Sequence, residues 1–548
     1  MKKPMIFLYL FCTLAAAAQN KTDRYFPIFK SNDIYNAVMR ELDINYVDTL
    51  DYEKLTTEAI NCMLYQFDPY TVYIPEDATD DLRRMTSGEY GGIGAYIQQH
   101  GDVVVVSEPH EGMPAQRNDV RAGDVIVGVD GEKMKGKTTT QVSEKLRGVP
   151  GTIITLELRR PGIAKTITRK FKREAIFIPS VDYYGMVAPG TGYISLNDFT
   201  DKSMSEFKQA MSDLTKHNPL QQLVIDLRNN GGGLVGEAVN IAGLFVPKHT
   251  EIVAIRGRAD NPNSRRIYRT AIDPLYLDLP IVVLVNENSA SASEILAGAF
   301  QDLDRAVIMG KRTYGKGLVQ NIRMLPYNSY LKVTTAKYYI PSGRCVQAID
   351  YAQRSENRDK PIPDSLTSTF KTRNGRIVRD GRGIIPDSTL KTPESLYITY
   401  YLFVQNYFFD YATNYVLTHP TIAPADDFAL TDAEYYQFVT YTKERKFTYR
   451  LESEKYLQDL RHVVKEEGYD TRTAKLFADL EKELQPDIDK DMREFRSNIQ
   501  EMLENEIVKR YYYHRGSVQY QLRRDLWLQS AIQMLTDKAA YAKMLGKK

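Results

Sequence analysis

From Glu174 to Tyr339 the sequence alternates short apolar runs with helix-like segments, and this alternation restricts that part of the chain to an α/β layout. Gly192–Leu196, Leu223–Leu227 and Ile281–Val285 read as strands, followed by helices near Ser203–Leu214, Leu234–Phe245 and Ser291–Leu303. Loops at the ends of such strands are where sites are usually built. Upstream, between Gly88 and Lys172, the texture is different. Val103–Val106, Val125–Val129 and Ile153–Leu158 are strand candidates, Arg121-Ala-Gly-Asp124 and Asp130-Gly131 are turn signals, and one helix, Thr139–Leu146, sits among them. This is a small, mostly-β module. Residues 31–80 read as mostly helical from the spacing of Ile34, Val38, Leu42, Leu55, Ile60 and Leu64. Residues 351–390 are polar and rich in Pro and Gly, a surface excursion, and from Ser395 onward the pattern is helical and charged. A chain of 548 residues suggests about three or four domains at roughly 100–200 residues each.

The first residues read as a secretory signal: Lys2 and Lys3, an apolar stretch from Met5 to Leu14, and small residues Ala15–Ala18. Cleavage is expected after Ala18, leaving Gln19 first. The apolar run is shorter than the roughly 20 residues a membrane helix needs, and no later stretch is apolar enough, so no transmembrane segment is expected after cleavage. Removing Lys2 and Lys3 from 72 Lys+Arg leaves 70 against 70 Asp+Glu. That balance argues against a general nucleic-acid binder. Only Cys62 and Cys345 remain after cleavage. They could pair in an oxidising compartment, but no spacing indicates a metal site, and no metal or cofactor is expected.

The chemistry concentrates where the run Ile281–Val285 leads through Asn-Glu-Asn-Ser-Ala-Ser-Ala-Ser-Glu into a helix. A serine at a helix start can act as a nucleophile, with unpaired backbone N–H groups beside it to stabilise an oxyanion. Ser291-Ala-Ser-Glu294 also fits a capping box, which for a serine in isolation is the commoner role. Downstream lies Thr313-Tyr-Gly-Lys-Gly-Leu-Val-Gln320. Glycines on both sides let the backbone carry Lys316 into a cleft, where desolvation lowers an amine's pKa and lets it accept a serine proton. Gln320, four residues on, falls on the same side as Lys316 and would orient its amine. Asp226-Leu-Arg-Asn-Asn-Gly-Gly-Gly233 places bare N–H groups after a buried strand, either an anion-binding nest or a plain tight turn.

Taken together, these three motifs resemble the C-terminal processing (tail-specific) peptidases, serine proteases with a Ser-Lys(-Gln) site. The resemblance implies Ser291 as nucleophile, Lys316 as base 25 residues further on, Gln320 as its orienting amide, and the amides of Ala292 and Gly232 as oxyanion donors. Gly88-Glu-Tyr-Gly-Gly-Ile-Gly-Ala95, Ala122-Gly-Asp-Val-Ile126 and Leu146-Arg-Gly-x-x-Gly-Thr152 are similar to the family's PDZ domain. By that resemblance the amides of Ile93, Gly94 and Ala95 would hold a substrate's terminal carboxylate, and Val142 and Leu146 would face its apolar last side chain. Two departures stand out: Gly231 where the family usually has proline, and Phe67-Asp-Pro-Tyr-Thr71 in place of a more usual Leu-Asp-Pro-His-Ser.

The expected organisation is a multi-domain α/β protein. A signal over 1–18 is followed by a helical region over 19–87, a PDZ domain over 88–172, an α/β (crotonase/ClpP-like) protease core over 173–390 and a helical domain over 391–548. The expected partners are proteins or peptides with free apolar C-termini, with assembly or adaptor binding through the helical ends. The expected location is outside the cytoplasm, in the periplasm if the source is Gram-negative. The rival reading is a non-catalytic PDZ scaffold or ligand carrier, which the intact set of Ser291, Lys316 and Gln320 disfavours. A nucleotide site at Gly310–Lys316 is disfavoured because Gly317 stands where a Ser or Thr would hold magnesium.

Overall fold

The computed structural model describes residues 5–76, 89–217, 219–258, 264–351, 361–391 and 397–547 and, His217 apart, their side chains from Tyr25 onward. The side chains of the expected leader, all of Gly88 and residues 352–360 of the polar excursion lie outside that description.

The central sheet runs Val181–Ala188, Thr191–Leu196, Gln222–Asp226, Ile281–Val285, Val307–Gly310, Ser388–Thr389, with the first pair antiparallel and the rest parallel. Successive strand residues point to opposite faces. Leu223, Ile225, Ile281 and Val283 therefore enter one apolar cluster, and Val224, Val282 and Leu284 another. Helices Ser203–His217, Val235–Ala242 and Ala292–Asp302 cover the first face through Phe207, Met211, Val239, Ile295 and Phe300. The second face is covered from far along the chain. Trp527, Leu528, Ala531 and Leu535 of Leu526–Thr536 and Tyr541 of Lys538–Met544 pack on it. Burial on both faces explains why these strands are apolar without alternation. These last helices, beyond the boundary expected at 390/391, form the outer layer of the core.

A second, five-stranded sheet carries the N-terminal segment into the core. Tyr330–Tyr339 pairs with Val72–Ile74, Glu251–Gly257 and Leu318–Met324, and Arg265–Arg269 lies beyond Glu251–Gly257. Residues 66–75 are therefore turn and strand rather than helix. The helix before them, Tyr52–Tyr65, starts at Asp51, whose carboxylate accepts the Lys54 N–H at 3.0 Å.

The mostly-β module is inserted through two antiparallel strands, Glu89–Gly92 and Glu174–Phe177. Its own sheet runs Ala95–His100, Val103–Pro109, Val125–Val129, Ile153–Arg159, Ile167–Lys172, so Ala95–His100 is an edge strand. The module's helix, Thr139–Leu146, is closed at its start by a Thr138/Gln141 capping box. The C-terminal helices build a core rich in tyrosine, with Tyr411, Tyr415, Tyr435, Tyr449 and Tyr520 buried among Phe408, Phe438 and Ile507. Buried phenols find acceptors there: Tyr435 donates to the Met492 carbonyl at 2.6 Å and Tyr449 to Asp491 at 2.8 Å. Ten of the chain's 38 tyrosines lie in or against this core.

Candidate active site

The three serines of the turn after Ile281–Val285 are not equivalent. Ser289 and Ser293 are fully buried, and their hydroxyls donate to the backbone carbonyls of Leu227 at 2.7 Å and Asn230 at 2.9 Å. Ser291 is partly exposed. Its backbone is at φ 56°, ψ −113°, a region that non-glycine residues rarely adopt and that is held at functional turns by the surrounding packing. An ordinary helix cap is extended. Ala292, the first helical residue, has an N–H with no backbone partner among the described residues.

Glu294 sits below this turn with no exposure to solvent. Its carboxylate accepts four donors: the N–H groups of Ser291 (2.9 Å), Gly315 (2.7 Å) and Lys316 (2.8 Å) and the Thr313 hydroxyl (2.5 Å). Burial pushes its pKa up, and these donors oppose the shift. The capping-box glutamate of the sequence thus ties the Ser291 turn to the Lys316 loop.

Lys316 lies just before the strand Leu318–Met324 and is largely desolvated. Burial, then the Lys332 cation, bring its amine down to about 8, against the pull of Glu294 and Asp68. Its Nζ lies 4.4 Å from the centre of the Tyr70 ring. The turn that supplies Tyr70 is organised by buried Asp68, which accepts the N–H groups of Tyr70 and Thr71, each at 2.8 Å. The Thr71 hydroxyl in turn accepts the Thr334 N–H at 3.1 Å.

Gln320 and Gly232 each have a partner of their own. The Gln320 amide donates to the Thr334 hydroxyl at 3.1 Å, just past a register shift that leaves Thr335 of the partner strand as the extra residue. Gly232 lies where expected: a Cβ there would meet the Ala290 carbonyl and Ser291 Cβ at 2.7 Å, and φ is +104°. Its N–H, however, donates to the Asn230 side chain at 2.8 Å rather than into the site.

The model of "Peptidase family S41" matches residues 190–352, "PDZ domain" residues 105–160, and "Probable PDZ-protease, C-terminal helical domain" residues 398–535. A carboxy-terminal-processing protease of Bartonella bacilliformis is 37% identical over 350 residues, 62% of this chain and 79% of the relative. The chain belongs to peptidase family S41. This S41 chain is also 34% identical to a CtpA-like serine protease of Staphylococcus aureus strain N315, over 69% of its own length and 74% of the relative's. The solved photosystem II D1 C-terminal processing protease is 31% identical over 65% of the chain and 86% of its own length, with a TM-score of 0.36. The S41 peptidase is thus a serine-type enzyme of the carboxy-terminal-processing group, with an inserted PDZ domain.

Within the peptidase's PDZ domain, the N–H groups of Ile93 and Gly94 have no backbone acceptor among the described residues, and Ala95 opens the edge strand. Gly94 is at φ +72°, and a Cβ on it would lie 2.5 Å from Met113 Cβ, so only glycine fits. Val142 and Leu146 are buried with Ile93 in the module's core, not open to a ligand as expected. Cys62 and Cys345 are free thiols.

Sequence reading missed Asp68, Tyr70 and Lys332 as neighbours of Lys316. The Phe67–Thr71 departure was a visible signal, but only the pairing of Val72–Ile74 with Tyr330–Tyr339 brings it to the site.

Proposed function

We propose that this peptidase is an exported endopeptidase that selects proteins by a free, apolar C-terminus and cleaves them with Ser291 as nucleophile and Lys316 as base. The observation that carries the reading is the Glu294 carboxylate, which anchors the backbone of both residues in one buried cluster. Neutral Lys316 Nζ takes the Ser291 proton as Oγ attacks the scissile carbonyl, then passes it to the leaving amine. Water enters by the same route to release the acyl group. The Ala292 N–H, at the start of the helix, faces the developing oxyanion. Gly232 supplies the second donor once its N–H turns away from Asn230. Gln320, anchored to Thr334 by its amide nitrogen, keeps its amide oxygen for the Lys316 ammonium.

The substrate tail would add as a strand beside Ala95–His100, its carboxylate on the amides of Ile93, Gly94 and Ala95. Val142 and Leu146 would floor the pocket for the last side chain after the helix Thr139–Leu146 moves outward. The leader ending at Ala18 directs export, to the periplasm of a Gram-negative source. The helical ends serve assembly or an adaptor: Tyr456, Leu460 and Val463, spaced along Glu452–Glu466, are exposed apolar residues.

The test is incubation of wild type and Ser291→Ala with an unfolded protein ending in apolar residues. Cleavage by wild type alone supports the reading, and cleavage by both overturns it.

A further inference from the structure

Lys316 has an aromatic seat that none of the three catalytic motifs includes. The Tyr70 ring lies under its amine, 4.4 Å from Nζ to the ring centre. A cation over a ring face is attracted by the ring's quadrupole, most strongly where water is excluded. Four contacts hold the ring. The Tyr70 N–H is fixed on Asp68 at 2.8 Å. The hydroxyl donates to Tyr314 at 3.3 Å and accepts from Tyr351 at 3.4 Å. The Tyr351 ring meets it edge-on at 6.0 Å. Burial, then the Tyr314 and Tyr351 hydroxyls, push the Tyr70 phenol well above its ordinary range, so it stays neutral and offers its face rather than a charge.

We propose that Tyr70 is a positioning residue for Lys316: its ring seats the ammonium between turnovers and sets the pH at which the amine becomes a base. The proposal rests on Lys316 being that base.

The charged groups around the amine come from three other directions. Lys332 on Tyr330–Tyr339 disfavours its protonation, while Glu294 on Ala292–Asp302 and Asp68 in the turn before Tyr70 favour it. Tyr70 acts in the same sense as the two carboxylates, because a ring face stabilises only the charged amine. It therefore offsets part of the effect of desolvation and of the Lys332 cation, and holds Nζ until a substrate covers the site. A leucine at position 70 keeps the apolar cover and removes the quadrupole, whereas phenylalanine keeps both.

The experiment uses the full-length protein and its Tyr70→Leu and Tyr70→Phe variants. Lys316 is labelled with acetic anhydride across a pH series and quantified by mass spectrometry, and kcat/KM is profiled over the same series. Tyr70→Leu is expected to lower the labelling midpoint by about one pH unit, and Tyr70→Phe to keep it near wild type. The rising limb of kcat/KM should move with the label. If Tyr70→Leu does not fold, Tyr70→Met makes the same comparison. An unmoved midpoint in the ring-less variant overturns the proposal. A midpoint that moves while the kcat/KM limb stays fixed upholds the seat and overturns Lys316 as base.

Discussion

The carboxylate of Glu294 accepts the backbone N–H of Lys316 at 2.8 Å, and the same oxygen accepts the N–H of Ser291 at 2.9 Å. One buried atom thus sets the spacing between the helix that presents the serine and the loop that presents the lysine. Hydrogen bonds to a charged group contribute roughly 1.5–3 kcal/mol each, and losing the acceptor strands buried donors. Glu294→Gln keeps the volume but turns an NH2 group toward N–H donors. It is expected to lower the melting temperature and cut kcat/KM by about 100-fold or more, on the scale of misplaced catalytic groups. Thermal melts and peptide cleavage check this, and wild-type values in both would contradict it.

The serines flanking Ser291 bear on stability rather than chemistry. The Ser289 hydroxyl donates to the Leu227 carbonyl and accepts the Asn286 N–H at 2.9 Å. Ser289→Ala should cost about 1–3 kcal/mol in denaturant unfolding by stranding those partners, while activity per folded molecule stays within about tenfold, as expected of a group outside the chemical step. Ser293→Ala should behave alike through its bond to Asn230.

Lys316 also makes stability depend on pH. Its folded pKa, about 8, lies below its ordinary 10.5. Between these values the unfolded chain holds the proton and the folded one has released it, so stability rises with pH across that window. Below about 8 the buried charge costs its full penalty. Lys316→Met is therefore expected to melt above wild type near pH 7, with the gap shrinking as pH climbs toward 10. A gap that widens over that range would contradict the desolvated amine.

The outer layer of the core comes from the chain's end. Removing residues 526–547 uncovers Val224, Val282, Leu284, Val307 and Met309. At about 1.5–3 kcal/mol for each large apolar side chain, the loss exceeds what a typical domain can bear. The truncated chain should be insoluble or molten by near-UV circular dichroism. A soluble, active truncation would contradict this packing.

The proposed tail recognition can be separated from cleavage at the PDZ loop. Gly94→Ala forces a methyl against Met113 at a positive φ. It should slow cleavage of substrates with free apolar tails about tenfold, the scale of one lost carboxylate contact, and leave short untagged peptides unchanged. Amidating the tail should do the same to wild type, and equal rates for free and amidated tails would contradict a tail-reading module.

Much of this was legible because local chemistry dictates it. Apolar runs became buried strands, and the helix Thr139–Leu146 lies where its pattern placed it. Ser291 and Lys316 stood out in the sequence because one opens a helix after an apolar strand, the other is flanked by glycines, and both motifs resemble those of a peptidase family. What escaped notice depends on contacts between distant segments. Nothing local distinguishes a capping Glu294 from one that also holds a loop. Nor does anything local show that Tyr70 reaches Lys316, or that Trp527 closes the core. Nor does anything local show that the Gln320 amide is held by the Thr334 hydroxyl of the neighbouring strand.

The most direct measurement is fluorophosphonate labelling of wild type and Lys316→Ala across pH 6 to 10, with the modified residue located by mass spectrometry. The expected result is a single adduct on Ser291, forming faster as pH rises through about 8 and absent without Lys316. An adduct on Ser289 or Ser293, or equal labelling of Ser291 without the lysine, would contradict the Ser-Lys assignment.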